Sequence, residues 1–175
     1  GQLHSIKVMD LPFGKFRDKG VPIDNVSNYN SEKEQIVCIT SQTQLNLRQV
    51  VFVTAQSMIK LVSGGEFDVS KRTVAATKLA EGDQVLSVMP LEEQSQVILQ
   101  TKVGLFLNFA IEEIPVQKKA AVGARGMKLG PKDCVENVYY TSNAVECSIE
   151  YKGKAIDLNR MKTARRDGKG TKIRV

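Results

Sequence analysis

The chain has 175 residues, 42% of them apolar, with 25 Lys and Arg against 19 Asp and Glu, a net charge of +6, and no Trp. That size and apolar share suffice to bury a core, either as one domain or as a ring of small sheets. No apolar run approaches the roughly 20 residues needed to span a bilayer, and the N-terminal GQLHSIKVMD lacks the apolar stretch of a signal peptide, so a cytoplasmic protein without a membrane role is expected. Cys38, Cys134 and Cys147 are odd in number and have no CxxC spacing. They suit reduced thiols packed as small hydrophobes better than a disulfide or a metal centre.

In chain order, Leu3 to Val8 reads as a strand ended by Asp10-Leu11-Pro12, since proline cannot donate to a ladder. A basic, Gly-containing turn follows, with Lys15, Arg17, Lys19 and Gly20. Ser27 to Lys33 is a polar loop, and the apolar run Ile36 to Ile39 predicts a short buried strand. The link Thr40 to Gln49 crosses to a second unit, VFVTAQSMIKLVSGGEF over residues 51–67, which reads as a hairpin. Lys71 and Arg72 mark its basic turn, and Ser57, Thr73 and Ala76 stand where the next unit has glycine, so a looser turn is expected. Asp83-Gln84-Val85 opens the next strand.

The third unit is the clearest. Val97 to Thr101 and Leu105 to Phe109 form a hairpin about Lys102-Val103-Gly104, with Leu105, Leu107 and Phe109 on one face by two-residue periodicity. Then come Lys118-Lys119, the turn Gly123-Ala124-Arg125-Gly126, Met127-Lys128-Leu129, and a strand from Asp133 to Val138. Tyr139 and Tyr140 at its end favour packing against a neighbouring sheet over base stacking. A fourth unit has an incoming strand over residues 145–151, then Arg160, Lys162, Arg165, Arg166, Lys169, Lys172 and Arg174.

These units are copies of one another. Thr54 falls on Thr101 and Ser57 on Gly104 at a spacing of 47, and Asp83 falls on Asp133 at 50. The repeats run roughly over 1–47, 48–94, 95–143 and 144–175, the first and last incomplete, so the sequence reads as part of a longer chain. Periods of this length holding several strands predict blades around an axis. The fold expected is all-β, about four small antiparallel sheets forming one domain as an open or partial ring.

Chemistry is sparse. His4 sits in an alternating run without a partner, which excludes a Ser-His-Asp triad and leaves a surface histidine. The sequence has no phosphate loop and no GxGxxG, and the GxxG at Gly123 lies between strand patterns rather than the helices a KH domain requires. Adjacent Glu112 and Glu113 point to opposite faces of an extended chain, which argues against a shared acid/base site. Charge is uneven: residues 116–175 hold 14 basic and 6 acidic side chains, residues 1–115 hold 11 and 13. In each repeat the basic residues return at the Gly turn, and a ring of blades would bring those turns to one rim. Glycine lets backbone N–H groups approach phosphates, while Lys and Arg neutralise them without reading bases. The expected contact set is Lys15, Arg17, Lys19, Lys71, Arg72, Lys118, Lys119, Arg125, Lys128, Arg160, Lys162, Arg165, Arg166, Lys169, Lys172 and Arg174.

A T-x-x-G hairpin, a basic G-x-x-G-x-K-L and a D-x-V, as at Thr101 to Gly104, Gly123 to Leu129 and Asp133, resemble the C-terminal domain of the A subunit of bacterial type IIA DNA topoisomerases, gyrase and topoisomerase IV. The resemblance implies a β-pinwheel, a propeller-like disc whose blades exchange strands, that binds and bends double-stranded DNA on its basic edge. It implies no catalytic residue and no cofactor in this part. ATP, Mg, the B (ATPase) subunit, with the remainder of the A subunit, are then expected elsewhere in the holoenzyme, at the bacterial nucleoid. Residues 164–170, ARRDGKG, resemble the gyrase box Q-R-R-G-G-[KR]-G in five of seven positions but lie in the last repeat. The turns at Lys15 to Gly20, Lys71 to Thr73 and Lys118 to Gly123 are degenerate, which leans towards a topoisomerase IV-like subunit. The competing expectation, a WD40 or kelch propeller binding proteins, needs signatures built on Trp, which this chain lacks.

Overall fold

A computed structural model describes residues 1–144 and 146–173. The strands, in chain order, are β1 (Gln2–His4), β2 (Gln49–Thr54), β3 (Met58–Ser63), β4 (Thr73–Ala75), β5 (Val85–Pro90), β6 (Gln96–Thr101), β7 (Leu105–Ala110), β8 (Ala124–Arg125), β9 (Val135–Thr141), β10 (Ser148–Tyr151), β11 (Lys154–Asp157) and β12 (Thr171–Lys172). A single helical turn, α1 (Gln42–Asn46), precedes β2; the Ser41 side chain caps it by accepting from the Gln44 N–H, and Leu45 turns inward.

Two sheets are complete, with strand orders β5-β2-β3-β8 and β12-β7-β6-β9, and two are pairs, β1-β4 and β10-β11. All the strand pairs are antiparallel. Each complete sheet borrows a strand: β8 follows the third hairpin yet pairs with β3, and β12 follows the fourth yet pairs with β7. This exchange is the feature that separates a pinwheel from a propeller of self-contained blades. An outgoing strand is followed by a one-turn 3-10 helix in every repeat, at Val8–Asp10, Gly64–Phe67, Ile111–Glu113 and Leu158–Arg160.

Both faces of the two complete sheets are covered, which is why their strands are continuous apolar runs rather than alternating ones. Val51, Val53, Ile59 and Leu61 of one sheet meet Val97, Leu99, Leu107 and Phe109 of the next in the largest core cluster. The opposite face of the first, with Val50, Phe52 and Val62, packs on Leu45 and Leu3, and that of the second, with Ile98 and Phe106, packs on Ile149, Ile156 and Leu158. The sheets are therefore stacked face to face. Each fully buried Val, Leu or Phe contributes about 1.5–3 kcal/mol over its exposed state.

Several expectations change. The strand from Leu3 to Val8 is only β1, and Val8 already belongs to a 3-10 turn. Ile36 to Ile39 form no strand and lie at the surface, Ile39 78% exposed, as does Cys38. The reason is pairing: β5 and β9 lie against the incoming strands β2 and β6, and repeat 1 has no incoming strand among the described residues to receive its counterpart. The fourth incoming strand is β10, shorter than expected, and Val145 lies outside the described residues. The second hairpin is as tight as the third, because Ser57 takes the left-handed conformation (φ 64°) that Gly104 takes (φ 81°). Its basic turn is the shorter one, residues 68–72 between the 3-10 turn and β4, against 114–123 in repeat 3. Tyr140 packs into the largest core and meets the Ser87 hydroxyl at 2.9 Å, and Tyr139 donates to Gln100 Oε1 at 2.7 Å, as expected of packing tyrosines.

Candidate nucleic-acid interface

The turns are built the same way in repeats 1 and 3. The Asp18 N–H donates to the Lys15 carbonyl at 2.9 Å, and the Ala121 N–H to the Lys118 carbonyl at 2.9 Å. Glycine with positive φ ends each turn, Gly20 at 69°, Gly123 at 113° and, in repeat 4, Gly170 at 73°. A Cβ on Gly123 would lie 3.0 Å from the Ile59 carbonyl oxygen, so this position needs glycine for both its conformation and its space.

Successive turns are joined by a latch that recurs. In repeat 3 the Lys119 N–H donates to Glu66 Oε2 at 3.0 Å and its ammonium to the Glu66 carbonyl at 2.9 Å. In repeat 4, 47 residues on, the Arg166 N–H donates to Glu113 Oε2 at 2.9 Å and its Nε to the Glu113 carbonyl at 2.9 Å. Glu66 and Glu113 both come from the 3-10 turn of the preceding blade. The equivalent residue of the first blade, Asp10, pairs with Arg72 at 3.1 Å. The Lys119 N–H, with Lys118 and Lys119 nearby, holds the Glu66 carboxyl below its usual range.

A second support lies beneath the third turn. Lys60 is 1% exposed, and its ammonium donates to the carbonyls of Lys118 (3.3 Å), Lys119 (2.8 Å) and Ala121 (2.6 Å), with the Phe52 ring 5.5 Å away. Burial pushes its pKa down to about 8. Three turn residues thus keep their carbonyls inward around a buried cation. At the same place in the next blade Leu107 packs beneath Gly168.

The third and fourth turns touch directly. Asp167, itself at φ 68°, makes a two-point ion pair with Arg125, which holds the carboxyl below its usual range. The Asp167 N–H donates to the Gly126 carbonyl (2.7 Å), the Lys128 N–H to the Gly168 carbonyl (2.7 Å), and the Arg166 guanidinium to the Arg125 carbonyl (2.6 Å). On the other side, an open groove is lined by Asp68, Lys71 and Thr73 of the second turn and Lys119 and Ala120 of the third.

The expected residues therefore divide. Lys71, Lys118, Lys128, Arg165 and Lys169 are exposed or half-buried along the adjoining turns of repeats 2 to 4, Lys118 also lying 3.4 Å from Glu66. Arg72, Arg125, Lys119 and Arg166 take part in joints between repeats, and Arg166 is half-buried. Lys162 and Lys172 are exposed, while Arg160 pairs with Asp157 at 3.0 Å on its own turn. Lys15, Arg17 and Lys19 are exposed on the first turn, where the Lys15 N–H donates to the Asp18 carboxylate and the Asp18 N–H to the Lys15 carbonyl. Arg174 lies outside the described residues. His4 is not the partnerless histidine expected: its Nδ1 meets the Thr73 hydroxyl at 3.1 Å and its Nε2 the Glu34 carboxylate at 3.0 Å. Sequence reasoning missed Lys60 and the latch acids, although the pairs Glu66–Lys119 and Glu113–Arg166 share one spacing of 53 residues that the repeat alone could have exposed.

A family model described as the DNA gyrase C-terminal domain, β-propeller, matches residues 48–92 and 95–142. The A subunit of DNA gyrase from Rickettsia felis is 31% identical over 141 residues, covering 77% of this chain and 16% of the relative. That of Lawsonia intracellularis is 27% identical over 136 residues, covering 77% and 17%. The matched region thus spans about a sixth of the length of these relatives. Among solved structures, the C-terminal domain of DNA topoisomerase IV superposes with a TM-score of 0.81 at 23% identity, over 95% of this chain and 53% of that one. The DNA gyrase A C-terminal domain gives 0.70 at 19%, over 89% and 53%; at these identities the likeness is one of fold. The two stretches matched by the family model are repeats 2 and 3, which hold both complete sheets except the borrowed strand β12, and cover more than half of the chain: it belongs to the DNA gyrase C-terminal domain family.

Proposed function

We propose that this domain binds duplex DNA without base specificity and bends it along the turns of its repeats, as the non-catalytic C-terminal part of a type II topoisomerase A subunit. The observation that carries this reading is that the basic turns of repeats 2, 3 and 4 adjoin one another, with Lys71, Lys118, Arg165 and Lys169 among them. A duplex laid across them meets cations and glycine backbone, the groups that neutralise phosphate and position it without reading sequence. Lys15, Arg17, Lys19, Lys128, Lys162 and Lys172 extend the basic surface. Cleavage, ATP and Mg belong elsewhere in the holoenzyme, in the bacterial cytoplasm at the nucleoid, where this domain's partners are the rest of the A subunit together with the B subunit.

The domain is closer to topoisomerase IV than to gyrase in how tightly it wraps. Asp167 stands where the gyrase box has glycine and ties up Arg125, which lowers the positive potential of the best-formed turn. Duplexes of about 20 and 40 base pairs separate binding from bending, since bending costs about 1–6 kcal/mol that added contacts must exceed. The longer duplex binds more tightly in proportion to the turns it reaches. A nicked plasmid closed by ligase in the presence of the domain should change little in linking number; a large change contradicts the topoisomerase IV-like reading, and equal affinity for both lengths contradicts bending.

A further inference from the structure

The joint between the third and fourth turns carries one contact more than it needs. Three hydrogen bonds to carbonyls already join these turns, and the Arg125–Asp167 pair is added to them with its side chains 55% and 36% exposed. An ion pair so exposed contributes little to stability. Its carboxylate is nevertheless surrounded by base. Arg125 holds both oxygens, and Lys128 and Arg166 also draw the carboxyl below its usual range. A guanidinium fork that fits a carboxylate in this way fits a phosphate equally well.

The preceding joint shows the same place without the pair. Lys119 and Arg166 share the latch position, so Ala120 corresponds to Asp167. The Ala76 N–H donates to the Gly1 carbonyl as the Gly126 N–H does to the Ser57 carbonyl, so Ala75 corresponds to Arg125. There, with both charges replaced by alanine, lies the open groove whose lining includes Ala75, Ala120, Lys71 and Lys119. Base and acid are present together in one joint and absent together in the other.

We propose that Arg125, Lys128 and Arg166 form a seat for one phosphate group of the DNA backbone, and that Asp167 is its built-in occupant, which a duplex must displace. This deepens the DNA reading above and rests on it. A base neutralised by mobile ions releases one when a phosphate arrives, and that release both drives binding and sets its salt dependence. Arg125 is neutralised by a carboxylate that the chain cannot release, so it adds nothing to the slope while Asp167 is charged. Asp167 thereby sets how firmly a duplex is held where it passes from the third turn to the fourth.

Asp167→Asn isolates the charge, because asparagine accepts the left-handed backbone of this position (φ 68°) as aspartate does. Binding of a random duplex is followed across salt for the whole chain, for Asp167→Asn, for Arg125→Ala and for the two changes together. Asp167→Asn should steepen the slope of log affinity against log salt by about 0.9 and bind about eightfold more tightly at about 0.1 M salt, with the thermal midpoint little changed. Added to Arg125→Ala, the same change should steepen the slope much less, since the seat has lost its fork. An equal gain without Arg125 would be a general loss of negative charge and overturns the seat. Inorganic phosphate, followed through the Arg125 Nε–H resonance, gives a reading independent of DNA: it should saturate in Asp167→Asn and leave the parent unmoved. Phosphate seated in a variant that binds no DNA would keep the seat and overturn its use by a duplex. A parent that binds DNA steeply while Asp167→Asn alters neither slope nor phosphate response overturns this proposal alone.

Discussion

Lys60 is the residue whose surroundings reach furthest. Its three bonds go to the turn that presents Lys118, so it bears on the proposed DNA track without being part of it. Because burial lowers its pKa to about 8, the unfolded chain binds more protons than the folded one between about 8 and the ordinary 10.5. Stability then rises with pH across that window, since each proton the folded state does without favours it as protons become scarce. Denaturation by urea should therefore show a midpoint that climbs as pH is raised through that window. Lys60→Met should remove the climb and leave the turn carbonyls unpaired, at a cost of about 1–3 kcal/mol near neutral pH. A midpoint flat in the parent protein would disprove this role for Lys60. Nothing local warns of it, because position 60 reads as one polar residue in an apolar strand, and only the third turn folding over it supplies its partners.

Elements explain which parts of the repeat are recognisable. The T-x-x-G signature is a tight hairpin loop in which the Thr hydroxyl accepts from the N–H four residues on, Met58 to Thr54 at 3.1 Å and Leu105 to Thr101 at 3.2 Å. The D-x-V signature caps the same loop from the neighbouring strand: Asp83 accepts from the N–H groups of Gln56 and Gln84, and Asp133 from those of Val103 and Cys134. Two motifs well separated in sequence thus turn out to be one structure. Asp133→Ala should cost about 1 kcal/mol by freeing two N–H donors, lowering Tm by about 2–4 °C, while leaving DNA affinity unchanged; a fall in affinity without a fall in Tm would mean that the carboxylate acts elsewhere. Hairpins two and three were legible because every signal for them is local. Ile36 to Ile39 misled because an apolar run specifies a strand only where a neighbour exists to pair with it, and β8 and β12 were invisible as strands because two residues hold them, on a blade other than their own.

Across the whole molecule, the turns carry both the joints between blades and the exposed bases of the proposed DNA track. Lys119 and Arg166 commit their hydrogen bonds to Glu66 and Glu113, fixing each blade to the next, and by doing so they hold Lys118 and Arg165 beside them at the surface. Basic residues that recur with the period looked alike in sequence, since spacing reports position in the blade and not whether an acid from the previous blade lies opposite. A DNA track on these turns is put at stake by the salt dependence of binding to a random duplex, several helical turns long, followed by fluorescence anisotropy. The parent chain is compared with Lys118→Ala combined with Arg165→Ala and Lys169→Ala. The parent should bind with log affinity falling steeply against log salt, and the variant should bind unrelated sequences equally less tightly with a shallower slope, by about 0.9 for each phosphate it no longer neutralises. Failure of the parent to bind at low salt, or a variant with the parent's slope, would contradict such a track.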